Sequence, residues 1–162
     1  GDTDTARRLL DESLVVRRSM GCRIDAAESE SLLAEVSLRE SRTAEAQQRI
    51  ASARPVFEAA GMADHLANAD ALALLVAVAE GQVPGAQVAS LESRLPAIEN
   101  PLFRIPARMA AARARAARGD EAAARAHIEE AIRDADRLGI KGFVREAKLL
   151  AAEMPAHPEP RS

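Results

Sequence analysis

The 162-residue chain has no tryptophan, no tyrosine and only three phenylalanines, Phe57, Phe103 and Phe143. That leaves few rigid aromatic walls for a small-molecule pocket, so a small-molecule sensor is the weakest of the readings weighed below. A single cysteine, Cys22, excludes an internal disulfide framework and agrees with a reducing, cytoplasmic setting. The longest uncharged apolar run, Ala71 to Ala79, is nine residues, far short of a membrane span. A net charge of −3 lacks the cationic excess that phosphate backbones attract, so neither nucleic acid nor membrane is an expected partner. Runs of alternating β-branched and aromatic residues, the signature of strands, are missing.

Catalytic patterns are missing too. There is no Gly-rich phosphate loop and no nucleophile elbow. The three histidines, His65, His127 and His157, do not stand at zinc or di-iron spacing from cysteine or carboxylates, so no metal or other cofactor is expected. His65 reads as part of a helix start, His127 as a surface imidazole and Cys22 as a partly buried small hydrophobe. Glu28, Glu30 and Glu35 show no apolar, enclosing neighbours of the kind that raise a carboxyl for acid catalysis, and the chain reads as a non-enzyme.

What the sequence does have is alanine and leucine, with some valine and isoleucine. Hydrophobic residues make up 48% of the chain, and these are good helix formers and compact packers. All-α is the expected class. Lys141 and Lys148 are the only lysines; the arginine and alanine excess has the look of a GC-rich bacterial genome. Asp4 reads as the N-cap of a first helix over Thr5 to Met20. With no initiator Met, the chain reads as the C-terminal part of a longer protein, and Gly1 as a tag remnant. The proline-rich residues 155–162 read as a disordered tail beyond a domain of residues 1–154.

A repeat organises the domain, with units starting near 1, 41, 81 and 119. Each opens on a small or polar turn and reaches an alanine five residues later: Ala6, Ala46, Ala86 and Ala124. Seven residues on stands another small residue, Ser13, Ala53, Ser93 or Ala131, and in three units a large aliphatic lies between, Leu10, Ile50 or Ile128. Spacings of four and seven put all three on one helix face. Gly21, Gly61 and Gly139 stand where left-handed residues close helices, while Asn100-Pro101 reads as a different kind of stop. Pro55 and Pro96 are expected to kink or shorten their helices. Between these lie further helices, roughly Ala26–Glu40, Asp64–Glu80 and Phe103–Arg118, with a last one from Phe143 to Glu153. About eight helices with short turns must run antiparallel to their neighbours.

Charge is graded along the second set of helices. Asp25, Glu28, Glu30, Glu35 and Glu40 make the first acidic, and the next is almost wholly apolar. In the third, Arg104, Arg108, Arg115 and Arg118 fall within about 100° of one face. One reading is a concave surface running from negative to positive, suited to an amphipathic peptide or a second copy of the chain. The other is pairing between equivalent positions of adjacent helices, Asp70 with Arg108 and Glu80 with Arg118, worth about 0–1 kcal/mol each.

Gly119-Asp120…Ala124…Ile128…Ala131-Ile132 resembles the second helix of the tetratricopeptide (TPR) repeat, and Glu30-x-x-Leu33-Ala34-x-x-Ser37 resembles its first. The family's aromatic positions are lost and the period is 40 rather than 34, as in longer, Ala/Leu-rich TPR-like repeats beside bacterial regulatory domains. The resemblance implies an α–α superhelix, a right-handed solenoid of antiparallel helix pairs whose first helices line a concave groove. It places Glu28, Ser31, Glu35, Leu38, Asn68, Ala71, Leu75, Val78, Met109 and Arg113 in that groove. A clamp for a peptide's terminal carboxylate is not matched, because Glu28, Ser31 and Glu35 repel an anion. The expected function is a protein–protein interaction scaffold within a cytoplasmic bacterial transcriptional regulator or signalling protein, binding a protein, a peptide or itself. The alternative is a regulatory domain of a multidomain enzyme, such as a Ser/Thr kinase or nucleotide cyclase, with its catalytic part outside this chain.

Overall fold

A left-handed residue stands at positions 21, 41, 61, 81, 119 and 139, with φ between 60° and 76°, and at each of them a helix stops. The next backbone N–H reaches back five residues to a helix carbonyl: Cys22 to Arg17, Arg42 to Ser37, Met62 to Phe57, Gln82 to Ala77, Asp120 to Arg115 and Ile140 to Ala135, all within 3.0 Å. Six helix ends therefore share one turn geometry, which satisfies carbonyls the helix itself leaves open. Five of the six residues are glycine, for which this conformation is strain-free; Ser41 is the exception.

The computed structural model describes residues 3–82 and 85–154. Among them are α1 (Thr3–Ser19), α2 (Arg23–Arg39), α3 (Thr43–Ala60), α4 (Ala63–Ala79), α5 (Gly85–Arg94), α6 (Pro101–Ala117), α7 (Glu121–Arg137) and α8 (Lys141–Glu153), one 3₁₀ turn at Leu95–Ala97, and no strand. Gly1, residues 83–84 and the expected tail, 155–162, lie outside the described residues. Asp4 does not cap α1; it sits within the first turn, where a carboxylate suits the positive end of the helix dipole. Asn100-Pro101 does not stop a helix but starts one. The Asn100 side chain accepts from the Leu102 N–H at 2.9 Å and Pro101 takes the first helical position, where its missing N–H costs nothing. Pro55 fails to shorten α3, which continues to Ala60, whereas α5 gives way to the 3₁₀ turn that holds Pro96.

The fold is all-α, a superhelical stack in which each helix packs on its sequence neighbours. Consecutive helices run antiparallel: Arg7 near the start of α1 bonds Glu40 beyond the end of α2, and Arg104 near the start of α6 bonds Asp134 late in α7. Helices α2, α4 and α6 run parallel in an inner layer. His65 of α4 meets Glu28 of α2 on one side and Phe103 of α6 on the other. The outer layer is α1, α3, α5 and α7.

Small residues set the spacing. Ala46, Ala53, Ala124 and Ala131 are all fully buried. In α6 the alanines at 107, 110, 111, 112 and 114 are buried on faces turned to α4 and to α7, so both neighbours approach closely. Helix α4 touches α2, α3, α5 and α6 and is accordingly apolar nearly all round. Phe57 fills the gap between α2 and α4 with no exposure, a burial whose loss to alanine would cost roughly 3–5 kcal/mol.

The third unit breaks the pattern. Ala86 and Ser93, which the repeat places on the buried face, are exposed, and Val88, Leu91, Leu95 and Ile98 are buried instead. Spacings of three, four and three select that face over the one the period dictates. Because α5 is short, α4 and α6 share the main core cluster directly.

Candidate functional site

The inner layer is concave, and its hollow is lined by one face from each of four helices. Glu35, Leu38 and Arg39 come from α2, Leu75, Val78 and Ala79 from α4, Pro106, Met109, Ala110 and Arg113 from α6, and Phe143 and Glu146 from α8. Spacings of three and four within each set are those of a single helix face. The groove encloses about 440 Å³. It crosses the layer obliquely, from the C-terminal halves of α2 and α4 to the N-terminal half of α8.

The oblique course sorts the residues that the sequence assigns to this groove. Glu35, Leu38, Leu75, Val78, Met109 and Arg113 line it. Ser31, Asn68 and Ala71 do not; they are buried where the inner helices press together, Ala71 in the core cluster shared by α4 and α6. Glu28 is held away at His65 Nε2, 3.2 Å distant. Phe143 and Glu146 were not legible as groove residues, because nothing local to the last helix shows that it comes round to face α2.

The lining is apolar with charge at its margins. Leu38, Leu75, Val78 and Phe143 are half-buried, and Met109 is buried. Burial pushes the Glu35 carboxyl above its ordinary value of 4.5; Glu146 pushes the same way, while Arg39 and a hydrogen bond with Asn68 oppose it. The absence of enclosing neighbours expected for this residue is thus corrected: the apolar surroundings come from other helices. Arg113 reaches Glu153 at 3.4 Å, an exposed pair that leaves its guanidinium accessible. Such a groove offers apolar contact along its floor and two mutually repelling carboxylates, from α2 and α8, where a cation would relieve the repulsion.

Elsewhere the charged residues are consumed in tying layers together. Glu30 is only 3% exposed and lies between Arg18 and Arg49, the latter at 3.0 Å, so it too is enclosed rather than open. Arg7 grips Glu40 through two nitrogens at 2.6 and 3.2 Å, and also Glu45 and the buried Ser37 hydroxyl, joining α1, α2 and α3. Arg115 grips Glu92 at 2.6 and 2.8 Å and His127 adds a contact at 2.9 Å, joining α5, α6 and α7. Arg115 first, then His127, hold the Glu92 carboxyl below its ordinary value against the effect of burial.

The arginine stripe is therefore not a groove wall. Arg104 and Arg108 face Asp134 and Glu130 of α7, Arg115 faces Glu92 and Asp120, and the Arg118 guanidinium lies over Gly85. Burial lowers Arg108 from its ordinary value, with Arg104 and Arg133 adding to the effect and Asp134 opposing it. Asp70 does not pair with Arg108 but with Arg54 and Arg94, because the outer helices lie nearer than the equivalent position on α6.

His65 stands in the first turn of α4, as its sequence context implies, while His127, expected at the surface, is instead half-buried against Glu92. The His65 ring sits between Phe57 and Phe103, with centroids 4.9 and 4.6 Å away, so two of the three phenylalanines flank one histidine in the wall between inner helices. Asp64 beside it accepts from the backbone N–H groups of Glu99 and Asn100 at 3.3 and 2.9 Å, fixing the approach to α6. Cys22 is half-buried and free. Among the described residues no three His, Cys, Asp or Glu side chains converge as a metal site would require, and no helix is long and apolar enough to cross a membrane.

Compared with protein-family models, curated proteins and solved structures, the chain matches none.

Proposed function

We propose that this chain is a TPR-like, non-catalytic interaction scaffold whose concave groove holds an amphipathic helical segment of a partner protein. The segment lays apolar side chains on Leu38, Leu75, Val78, Met109 and Phe143 and directs a basic side chain between Glu35 and Glu146. One observation carries this reading: four helices contribute apolar residues to a single groove that also brings two carboxylates to the same margin. Helix-in-groove recognition uses anchors of this kind, three and four residues apart. A cytoplasmic setting, where a free Cys22 would stay reduced, and a regulatory role within a bacterial signalling protein belong to the same proposal.

The test uses a synthetic helical peptide of about four turns, leucine and alanine on one face with a central arginine, and its Arg→Glu counterpart. Fluorescence anisotropy should show the arginine peptide binding at least about tenfold more tightly, a difference of about 1.4 kcal/mol. Leu75→Asp should abolish binding, and Glu35→Gln with Glu146→Gln should erase the preference. Equal affinity for the two peptides, or binding untouched by Leu75→Asp, would overturn the assignment.

A further inference from the structure

Helix α6 carries two prolines that stand in different relations to its hydrogen-bond ladder. Pro101 takes the first position, where the helix has no bond for an N–H to make. Pro106 lies more than a turn further in, where an amide N–H would close on the carbonyl four residues back, that of Leu102. Proline has no N–H, so this carbonyl lacks its partner along the helix. Among the described residues no side chain donates to it either.

Helix geometry decides where the free acceptor faces. The carbonyl four residues back points at the nitrogen on which the proline ring is built, so acceptor and ring share one face. That face lines the concave groove: Pro106 stands in the lining with Met109, Ala110 and Arg113 of the same helix. Leu102, one turn earlier, is 54% exposed, which leaves the approach to its carbonyl open. Pro55 supplies the contrast. It too interrupts a helix ladder, on the outer helix α3, but both it and Ala51, whose carbonyl it frees, are exposed, and bulk water serves that acceptor.

Beside Pro106 the situation changes once the groove is filled, because a bound segment displaces water from an apolar lining. A carbonyl stripped of water and given no donor is unfavourable, the more so among apolar neighbours. A segment that fits has to bring a donor of its own, and its basic side chain is already taken by Glu35 and Glu146. We infer that the α6 wall selects its partner by a hydrogen-bond donor: an amide or hydroxyl side chain, set among the segment's apolar residues, donates to the Leu102 carbonyl that Pro106 leaves free. The inference rests on the groove reading and adds a polar determinant that neither the apolar floor nor the carboxylate pair provides.

The arginine peptide of the groove test, with its leucines replaced by asparagine one position at a time, serves as the probe. Leucine and asparagine share a branched shape and differ in the donor. Fluorescence anisotropy should show one asparagine peptide binding at least about tenfold more tightly than the others. Pro106→Ala supplies the missing N–H and occupies the carbonyl. It should erase that advantage while leaving the all-leucine peptide within about twofold of its affinity for the parent chain. The variant gains a helical bond, so its melting midpoint should equal or exceed the parent's. A series with no favoured position, or a favoured position that survives Pro106→Ala, would overturn the inference; binding of the all-leucine peptide would leave the groove reading standing. Failure of every peptide to bind would overturn both.

Discussion

Ser41 holds a backbone conformation that its five counterparts fill with glycine. Its φ of 60° costs a residue with a Cβ roughly 1 kcal/mol, and its side chain is exposed, so nothing visible in the packing offsets that cost. Ser41→Gly is expected to raise stability by roughly 1 kcal/mol, seen as a higher urea midpoint at unchanged slope; a lower midpoint would show that the hydroxyl has a role its surroundings do not reveal. Three of the glycine turns, at 21, 61 and 139, were legible as helix ends, while those at 81 and 119 were read only as the starts of units. The serine turn was legible only as a unit start, since serine carries no signal for left-handed backbone. His65 shows the converse limit. Its neighbours in sequence place it at a helix start, yet its environment comes from Phe57 and Phe103, which local pattern cannot bring to it.

At the scale of the element, α5 is the departure. It is ten residues long and meets α4 and α6 through Val88 and Leu91. Its main polar anchor is Glu92, held by Arg115 and His127. Because the folded state keeps this carboxyl below its ordinary value of 4.5, the anchor contributes fully above that pH and is lost as pH falls through the depressed value. Glu92→Gln should therefore cost about 1–2 kcal/mol at pH 7. In urea melts the gap to the parent chain should narrow once acid protonates the parent's carboxylate; a gap constant with pH would assign the loss to packing instead. Seven of the eight helices were legible to within a few residues from the period and the apolar spacing. The face of α5 was not, because the 40-residue register and the local spacing of Val88, Leu91, Leu95 and Ile98 disagree there, and the local spacing prevails.

For the whole molecule, curvature does what no single segment does: it places Glu146 of α8 opposite Glu35 of α2. Glu35 is raised by burial first, with Glu146 adding to it. As pH rises above 4.5 the unfolded chain gives up this proton before the folded one, and stability falls across that interval. Glu35→Gln removes the penalty, so the thermal midpoint should rise at pH 7 and stay level at pH values where the parent carboxyl is protonated in both states. An equal rise at both would point to a gain unrelated to charge. Six of the residues that line the groove are among those the TPR resemblance implies, but the oblique path of the groove was not legible. The shared turn geometry at positions 21, 41, 61, 81, 119 and 139 carries one more consequence. A stretch cut between two such turns and spliced in at a third meets identical backbone on both sides, so the stack can lengthen by duplication, a whole unit at a time, with no new joint to invent.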